Sequence, residues 1–590
     1  MEEAGKGACI RMIRLFRYLT SYKWPIAAIL VLVFVQSLSD LYLPTLMADI
    51  VDVGIVQGDT FFIWKVGGFM LLVAAGGGFC AIGASYFSSK VAMSFGRELR
   101  SRVFNQVEHY SMQEIDLIGT ASLITRTTND INQVQQVLIM ILRIMVAAPM
   151  MCIGGIIMAS SKDAKLTLVL AVAVPILALA IFLIARKGMP LFKAMQKKLD
   201  KLNLVVREGL TGIRVIRSFN RMDVEKRRFN EANTDLTQTA INVNRIMAAL
   251  MPIMMLTFNL SAVAILWFGG IRVSNMDLQV GDLMAFIQYA TQIMFSLVML
   301  SMIFVMVPRA SASAIRINEV LDLHSTINDR PEPVTRTKAT TSGTVEFQGV
   351  TFSYPGAEHP ALTSITFTAL PGQTTAIIGG TGSGKSTILN LVERFYDVTS
   401  GAIRVDGLDI RDLPLEQLRA KIGYVPQKVL LFSGSIADNI RFGKEDATDT
   451  EIEHAAKIAQ AGDFIASMKG GYEAHISQGG TNVSGGQKQR LSIARAIVRQ
   501  PAIYMFDDSF SALDFKTDAL LRAALKEEID KNQSTLIIVA QRVSSVMDAD
   551  QIIVLDEGSI AGMGTHEELM KNCAVYQEIV RSQLTEEEIA

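Results

Sequence analysis

Six long apolar stretches in the first part of the chain constrain its fold more than any other feature. A helix needs about 20 mostly apolar residues to cross the hydrocarbon core of a bilayer, and each stretch is that long. They lie near residues 25–48, 62–86, 138–160, 165–186, 247–270 and 282–306 of the 590-residue sequence. The sequence therefore predicts an α-helical membrane domain of six transmembrane helices over residues 1–325, embedded in a lipid bilayer.

The charges beside these stretches predict how the helices are oriented. Basic side chains precede the first stretch and follow the second and fourth, whereas the first connection is acidic. The basic set includes Arg11, Arg14, Arg17, Lys23, Arg97, Arg100, Arg102, Arg126, Arg186, Lys187, Lys197 and Lys198, and the acidic set is Asp49, Asp52 and Asp59. Loops rich in Lys and Arg stay in the cytoplasm. We therefore expect both termini to lie in the cytoplasm.

Two internal connections, each of about 50 residues, separate the second stretch from the third and the fourth from the fifth. Both are rich in Glu, Lys, Arg and Gln and poor in proline, which indicates helix rather than flexible loop. Loops of that length without secondary structure are also uncommon. We expect the membrane helices to continue into the cytoplasm as long arms, each turning at a short cross-helix near residues 114–120 and 218–224.

Charge and cysteine content make several other classes of protein improbable. The formal net charge is −1, so the total charge does not point to a nucleic-acid partner. Cys9, Cys80, Cys152 and Cys573 are scattered, without the spacing of metal ligands or of a disulfide framework. We therefore expect no structural zinc site and no disulfide scaffold.

The second part of the chain has the pattern of a soluble α/β domain. A segment rich in proline, threonine and charge predicts a linker over residues 326–342, followed by a domain over 343–580 and a tail over 581–590. A glycine-rich run lies between the apolar strand Thr374–Ile378 and a helical segment, which is the setting of a phosphate-binding loop. The run and its first helical residues are Gly379, Gly380, Thr381, Gly382, Ser383, Gly384, Lys385, Ser386 and Thr387.

These residue types match the chemistry of ATP with Mg²⁺. Glycines let backbone N–H groups close around phosphate oxygens, Lys385 can reach the β- and γ-phosphates, and the Ser386 hydroxyl can hold Mg²⁺. A second apolar strand ends at Asp507. A carboxylate at the end of such a strand typically holds the same Mg²⁺, so the sequence predicts an ATP site.

A third motif indicates which family of ATP-binding proteins the chain resembles. Val483-Ser484-Gly485-Gly486-Gln487, followed by Lys-Gln-Arg, closely resembles the signature of ATP-binding-cassette (ABC) proteins. The membrane half, including the run Glu208–Arg217, resembles the six-helix exporter type of that family. The resemblance therefore implies a six-helix membrane domain with cytoplasmic extensions joined to an α/β phosphate-loop ABC ATPase domain. It also implies that the protein lies in the plasma membrane.

The resemblance also assigns roles to individual residues. Tyr354 matches the aromatic residue that stacks on adenine. Gln427 matches the glutamine that joins the nucleotide site to the membrane domain and helps to hold the metal. Asp514 lies in the loop 511–514 that crosses the interface between two cassettes. In the family two cassettes close head to tail, so Ser484, Gly485, Gly486 and Gln487 would contact the ATP of a second ABC half-transporter.

Two positions depart from the family's hydrolytic pattern. Asp508 stands where the family has Glu, and Gln541 stands where it has His. With Gln427, these are the candidate catalytic residues, and the changes predict a site that binds ATP but hydrolyses it slowly. We expect a different partner chain that carries Glu and His. The alternative is a homodimer that hydrolyses slowly at two equal sites.

The membrane residues give weaker signals about the cargo. Asp40 lies well inside the first stretch, where it can either favour cationic substrates or bond a neighbouring helix. Arg143 lies near one end of the third stretch, where a long side chain is expected to snorkel toward the membrane surface. The 29 methionines favour a lipophilic small-molecule substrate. A lipid or peptide exporter and a non-transporting nucleotide sensor remain alternatives.

Overall fold

The computed structural model describes residue 12 and residues 14–329 and 343–584. Arg11, positions 330–342 of the predicted linker and positions 585–590 of the predicted tail lie outside the described residues. The chain divides into two compact units. One takes the residues up to Glu108 together with Thr120–Leu323, and the other takes His109–Gly119 together with the residues from His324 onward.

The first unit contains six helices long and apolar enough to span a membrane, as the sequence predicts. We number them as spans 1 to 6 in chain order: Arg14–Ile55, Thr60–Glu108, Thr120–Lys162, Thr167–Thr211, Met222–Ser274 and Val280–Asp322. Each is longer than its apolar stretch, with 42 to 53 residues. The two connections predicted to be helical are therefore continuations of spans 2 to 5.

Several spans combine more than one helical segment. The α-helices of the first part of the chain are α1 Lys23–Asp49, α2 Thr60–Glu108, α3 Met112–Ile118, α4 Thr120–Thr125, α5 Ile131–Lys162, α6 Thr167–Thr211, α7 Ile213–Ser218, α8 Met222–Ala248, α9 Leu250–Ser274 and α10 Val280–Asp322. A 3₁₀ segment, Arg17–Tyr22, precedes α1, and π-helical turns occupy Ile50–Ile55 and Arg126–Asp130. Such π turns are rare and insert an extra residue into a helix.

Polar contacts and close packing hold span 1 against span 6. The Tyr289 hydroxyl shares a hydrogen bond of 2.7 Å with Thr45 Oγ1 and donates to the carbonyl oxygen of Leu41 at 3.1 Å. One turn further along, Gln292 Nε2 donates to the Asp40 carbonyl oxygen at 3.0 Å. At the start of α10 the Gly281 amide donates to Asp52 Oδ1 at 2.6 Å. Buried polar groups in a bilayer need such partners.

The two arms turn at short helices slightly earlier than expected. The first is α3, Met112–Ile118, which Ser111 and Glu114 cap reciprocally; this capping box fixes where a helix begins. The second is α7, Ile213–Ser218, where the sequence suggested residues 218–224. After α7 the chain reverses through Asn220, whose φ of 50° lies in the left-handed region that Asn tolerates.

The second unit contains two principal β-sheets. Its strands are β1 Val345–Phe352, β2 Leu362–Ala369, β3 Thr374–Gly379, β4 Ser400–Val405, β5 Leu408–Asp409, β6 Ile422–Val425, β7 Gly434–Ser435, β8 His475–Ile476, β9 Ile503–Asp507, β10 Thr535–Val539, β11 Gln551–Asp556 and β12 Ser559–Gly564. An antiparallel sheet has the order β2-β1-β4-β5, and a six-stranded sheet has the order β12-β11-β3-β10-β9-β6.

The six-stranded sheet positions the residues of the predicted ATP site. Strands β11, β3, β10, β9 and β6 run parallel, so their carboxyl ends meet along one edge. Their residues are buried almost throughout, as expected for a parallel sheet covered by helices on both faces. The helices of this part are α11 Lys385–Val392, α12 Leu415–Ala420, α13 Ile436–Arg441, α14 Asp449–Ile458, α15 Gly462–Ser467, α16 Gly485–Ile497, α17 Phe515–Asn532, α18 His566–Asn572 and α19 Ala574–Gln583.

Candidate nucleotide site

The glycine-rich loop joins the carboxyl end of β3 to the start of α11. Gly382 and Gly384 have φ values of 84° and 94°, which residues with a Cβ rarely adopt. A Cβ on Gly384 would also lie 2.8 Å from the carbonyl oxygen of Ala361. The backbone therefore needs glycine to turn back on itself in front of the helix, which is the arrangement that cradles phosphate.

Lys385 is the first residue of α11, and its side chain contacts the loop. Its ammonium donates to the carbonyl oxygens of Gly379 at 3.0 Å and Gly380 at 2.6 Å, and lies 3.5 Å from Ser383 Oγ. Burial lowers the pKa of Lys385, while the nearby carboxylates of the β9 end oppose that shift. A cation held at the mouth of a glycine-rich loop is positioned for the terminal phosphates of a nucleotide. Thr381 lies in the same loop, and Thr387 follows in α11.

Asp507 and Ser386 bring two oxygen ligands together. Asp507 is the last residue of β9, two strands from β3 in the sheet, and the Ser386 hydroxyl donates to its Oδ1 at 2.9 Å. Burial raises the pKa of the Asp507 carboxyl, and the Ser386 hydrogen bond counteracts the increase. Adjacent hydroxyl and carboxylate oxygens fit Mg²⁺, a hard cation that prefers oxygen ligands. Ser386 and Asp507 would hold this Mg²⁺, which would supply positive charge to stabilise the phosphates of ATP.

The Asp508 carboxylate is the group that the other two candidate catalytic residues, Gln541 and Gln427, approach. Gln541 Nε2 donates to Asp508 Oδ2 at 2.9 Å, and Gln427 Nε2 lies 3.5 Å from the same oxygen. The Asp508 backbone has a φ of 49° and its amide donates to the carbonyl oxygen of Val539 at 2.9 Å. Burial raises the pKa of the Asp508 carboxyl, with the Gln427 hydrogen bond as the main opposing contribution. The structure thus brings Asp508, Gln541 and Gln427 together.

Tyr354 is held by a cluster of aromatic rings. Its hydroxyl shares a hydrogen bond of 3.1 Å with Thr387 Oγ1. Its ring packs edge-on against Phe352 and Tyr396, with centroid separations of 4.9 and 5.3 Å. The ring is therefore fixed beside α11, on the helix that begins in the phosphate loop.

Tyr396 is a residue that the motifs did not indicate. It is only 8% exposed and resembles an ordinary core aromatic, yet its hydroxyl donates to Asp116 Oδ2 on α3 at 2.7 Å. Burial is the main reason that the pKa of Tyr396 is raised, and the Asp116 carboxylate adds to it. Its position in the segment between α11 and β4 gives no such signal, because a contact with α3 depends on tertiary structure.

The signature residues form a second cluster on other elements. Ser484 caps α16, where Gln487 N donates to Ser484 Oγ at 3.3 Å and Ser484 N donates to Gln487 Oε1 at 2.9 Å. A Cβ on Gly486 would lie 3.0 Å from the carbonyl oxygen of Ala512, so this glycine, next to Gly485, permits close approach of the loop 511–514. Asp514 caps α17 through Thr517. Its predicted contact with nucleotide stays a prediction.

These two units define a class of protein, in which a phosphate-loop ATPase domain is joined to a six-span membrane domain. Comparison with known proteins agrees. Residues 26–297 match the family of ABC transporter transmembrane regions, and residues 362–511 match the ABC transporter family. The fold superimposes on a bacterial Atm1-family ABC exporter solved with ATP bound, with a TM-score of 0.78 and 26% identity, covering 96% of this chain and 99% of that one.

Relatives cover nearly the whole chain. It is 44% identical to an uncharacterized ABC transporter ATP-binding protein of Mycobacterium tuberculosis, over 96% of this chain and 97% of the relative. It is 39% identical to the uncharacterized ABC transporter ATP-binding protein YfiB of Bacillus subtilis, over 98% of this chain and 99% of the relative. It is 31% identical to the ATP-dependent lipid A-core flippase of Vibrio parahaemolyticus, over 97% of this chain and 98% of the relative. The chain belongs to the ABC transporter family. It is an ABC exporter, a multi-pass membrane protein that uses ATP with Mg²⁺ and hydrolyses ATP to drive transport.

Proposed function

We propose that this chain is the slowly hydrolysing subunit of a heterodimeric ABC exporter that moves lipophilic small molecules. The observation that carries the proposal is the hydrogen bond of 2.9 Å between Gln541 Nε2 and Asp508 Oδ2. The two residues that depart from the family's pattern are direct partners, so they act on one another rather than as separate changes.

The position of the Asp508 carboxylate accounts for slow hydrolysis. Phosphoryl transfer depends mainly on positioning and electrostatics, and a carboxylate in this place orients the attacking water. Asp508 is one methylene shorter than Glu, and a displacement of about 1 Å can cost on the order of a hundredfold in rate. Gln541 holds the shorter carboxylate and, being an amide, cannot supply the positive charge available to His. ATP would then be bound and turned over slowly.

The signature supports a role in completing a second site. Ser484 and Gln487 keep the helix start ordered, and Gly486 keeps it close to the loop 511–514. In the family's head-to-tail arrangement this surface meets the ATP on the opposite cassette. We therefore infer a partner with Glu and His at the positions of Asp508 and Gln541, whose site hydrolyses efficiently. The alternative is a homodimer with two slow sites.

The remaining assignments follow from topology and composition. We place the chain in the plasma membrane with the ATPase domain and both termini in the cytoplasm, because the basic segments flank that side of the spans. The domain limits proposed are 1–325, 326–342, 343–580 and 581–590. We propose α3 and α7 as the coupling helices of the arms.

The composition of the membrane spans bears on the cargo. Methionine-rich apolar helices favour lipophilic compounds over a single rigid substrate. Lipid is the main alternative, since a relative is named as a lipid A-core flippase. Uptake of lipophilic dyes and of fluorescent lipids into inverted vesicles, with ATP and with the Lys385→Ala variant as the control, distinguishes the two.

The nucleotide retained by the purified protein tests the heterodimer. A tagged full-length chain is incubated with labelled ATP and Mg²⁺ and purified from its own membranes. We expect a second ABC chain to purify with it. We also expect the tagged chain to retain mainly ATP at its own phosphate loop. A chain that purifies only with copies of itself, retains mainly ADP and turns over briskly would contradict the proposal.

A further inference from the structure

The Glu114 carboxylate joins α3 to the segment of chain that follows span 6. Its Oε2 accepts hydrogen bonds from Ser111 N at 2.9 Å and Ser111 Oγ at 2.5 Å. Its Oε1 accepts a hydrogen bond from Thr326 N at 3.2 Å. Span 6 ends at Asp322, shortly before Thr326. One side chain therefore holds two segments that are 212 positions apart in the sequence.

Glu114 is buried and charged at the same time. The residue is 2% exposed, and its hydrogen-bond donors are neutral groups of Ser111 and Thr326. Burial raises the pKa of the Glu114 carboxyl, but the hydrogen bonds from Ser111 and Thr326 outweigh this effect and leave the pKa below its ordinary value. A buried carboxylate is costly unless donors surround it, so the ionised side chain depends on both segments.

Capping of α3 does not by itself require this burial. In a capping box, a glutamate at the third helical position accepts from the backbone N–H of the residue before the helix. Glu568 does this for α18 through Thr565 N at 2.9 Å, and Glu568 is exposed. Glu114 makes the same contact with Ser111 and adds a bond to a distant segment. The bond to Thr326 therefore goes beyond what the start of a helix needs.

The residues 324–329, which we call the exit segment, also contact the turn that follows α11. The Arg394 guanidinium in this turn donates to the Asn328 carbonyl oxygen at 3.4 Å. The same turn leads to Tyr396, whose hydroxyl donates to Asp116 on α3. All three parts belong to the second unit. The exit segment, the turn and α3 are therefore each bonded to the other two, which makes a closed ring of contacts.

We propose that Glu114 is a positioning residue that transmits movement of α3 to span 6. Its carboxylate makes α3 and the exit segment move together, so a displacement of α3 reaches the end of span 6 through the few residues between Asp322 and Thr326. Energetic coupling between distant sites is carried by such contiguous hydrogen-bonded contacts. The inference rests on the proposed role of α3 as a coupling helix, and it holds for a homodimer as well as for a heterodimer.

Glu114→Gln separates the local contact of this side chain from its distant one. An amide has one acceptor oxygen, and its NH₂ group donates, so it cannot accept from two segments through two oxygens. Gln also caps helices, and the local contact with Ser111 has the smaller entropic cost. The variant should therefore keep the cap and release Thr326. Glu568→Gln makes the same change in the exposed capping box of α18 and is the matched control.

Hydrogen exchange of the full-length protein, purified from its own membranes, tests the proposal. The protein is incubated with Mg²⁺ and a range of concentrations of AMP-PNP, an ATP analogue that is not hydrolysed. Mass spectrometry follows the phosphate loop 379–387, the exit segment and residues 280–290 at the start of span 6. In the unchanged chain and the control, the analogue should slow exchange in the phosphate loop and alter exchange at 280–290.

Glu114→Gln should bind the analogue at the same concentrations, because the phosphate loop is untouched. Its exit segment should exchange about 10-fold faster, the factor expected for loss of one hydrogen bond to a charged group, and the response at 280–290 should be lost. A purely structural role would speed exchange of the exit segment but leave the response at 280–290 intact, and that result would overturn the proposal. An unchanged chain without any response at 280–290 would also overturn it.

Two further variants distinguish the role of Glu114 from that of α3. Thr326→Ala, at an exposed position, removes a hydroxyl that shares a hydrogen bond of 3.2 Å with Ser111. It should reduce the response at 280–290 in part, even if Glu114→Gln folds poorly. Tyr396→Phe weakens the other contact of α3. A response that Tyr396→Phe reduces but Glu114→Gln and Thr326→Ala do not would overturn the role of Glu114 alone. A response that none of the three reduces would overturn the proposed role of α3 as well.

Discussion

Gln541 and Asp508 follow neighbouring strands and meet at a hydrogen bond of 2.9 Å between the amide nitrogen and Oδ2. Strands β9 and β10 are parallel partners, with Asp507 opposite Val539, so the residues that follow them emerge at the same edge of the sheet. Gln427 lies 3.5 Å from the same carboxylate oxygen. The carboxylate therefore has two amide neighbours, and its orientation depends on both.

This contact explains why the two departures are best considered together. A carboxylate shortened by one methylene gains an amide partner that holds it in the site. Restoring only Glu would leave a neutral amide beside a longer side chain, and restoring only His would place a ring beside a short one. Neighbours in one hydrogen-bond network commonly show non-additive effects, so the double variant carries more information than either single one.

The first prediction concerns nucleotide binding. Lys385→Ala should weaken ATP binding by roughly 10- to 100-fold, because hydrogen bonds to charged groups contribute about 1.5–3 kcal/mol. Lys469→Ala removes an exposed lysine from the same domain and should leave binding unchanged. Equilibrium binding of a fluorescent ATP analogue measures both. Equal ATP affinity in the Lys385 variant and the unchanged chain would show that the loop is not part of the nucleotide site.

The second prediction concerns pH. Burial raises the pKa of Glu393 to about 7, although Arg419 and Arg499 oppose the shift, and the side chain is 6% exposed. Between pH 4.5 and 7 the folded protein binds more protons than the unfolded chain, so the free energy of unfolding falls as pH rises through that window. The loss is about 3 kcal/mol by pH 8, from about 1.4 kcal/mol for each pKa unit.

Glu393→Gln removes the ionisable group and should abolish this part of the pH dependence. At pH 8 the variant should melt several degrees above the unchanged chain, while at pH 5 the two should differ little. Glu358→Gln, at an exposed position, is the control. Thermal melting of the ATPase domain within the full-length protein gives the comparison. Parallel pH curves for the Glu393 variant and the unchanged chain would contradict the pKa shift.

The third prediction concerns the contact of Tyr396 with α3. Tyr396→Phe removes the hydroxyl that donates to Asp116 at 2.7 Å and should destabilise this contact by about 1 kcal/mol, since Asp116 is exposed. If α3 couples the ATPase domain to transport, ATP affinity should be unchanged while substrate moved per ATP falls. Tyr472→Phe is the control for loss of a tyrosine hydroxyl. Transport and hydrolysis measured in the same vesicles provide the ratio, and an unaltered ratio would exclude a coupling role.

The fourth prediction concerns the packing of span 1 on span 6. A Cβ on Gly281 would lie 2.4 Å from the carbonyl oxygen of Ala48 and 2.6 Å from Asp52 Oδ2. Gly281→Ala should therefore push the two spans apart and cost about 1–3 kcal/mol. Gly270→Ala, where nothing lies within 4 Å of the added Cβ, should be neutral. Thermal inactivation of both variants in detergent tests the difference, and equal half-lives would show that the spans do not pack this closely.

The parts of the structure set by strong local constraints could be predicted from sequence. The six spans follow from hydrophobicity, because backbone in a bilayer must be satisfied within a helix. The phosphate loop follows from its glycines and Lys385. The two π turns and the contact between Tyr396 and Asp116 have no comparable local signal. They depend on how segments far apart in sequence pack, as does the meeting of Asp508 and Gln541, which are 33 residues apart.

The most direct test of the account is the single-turnover rate of ATP hydrolysis by the purified full-length chain, compared with Asp508→Glu, Gln541→His and the double variant. Two copies at high concentration can complete each other's site through the signature residues 484–487. If Asp508 and Gln541 slow hydrolysis, the unchanged chain should hydrolyse ATP slowly, the double variant on the order of a hundredfold faster, and the single variants with smaller gains. An unchanged chain that hydrolyses ATP as fast as the double variant would contradict it.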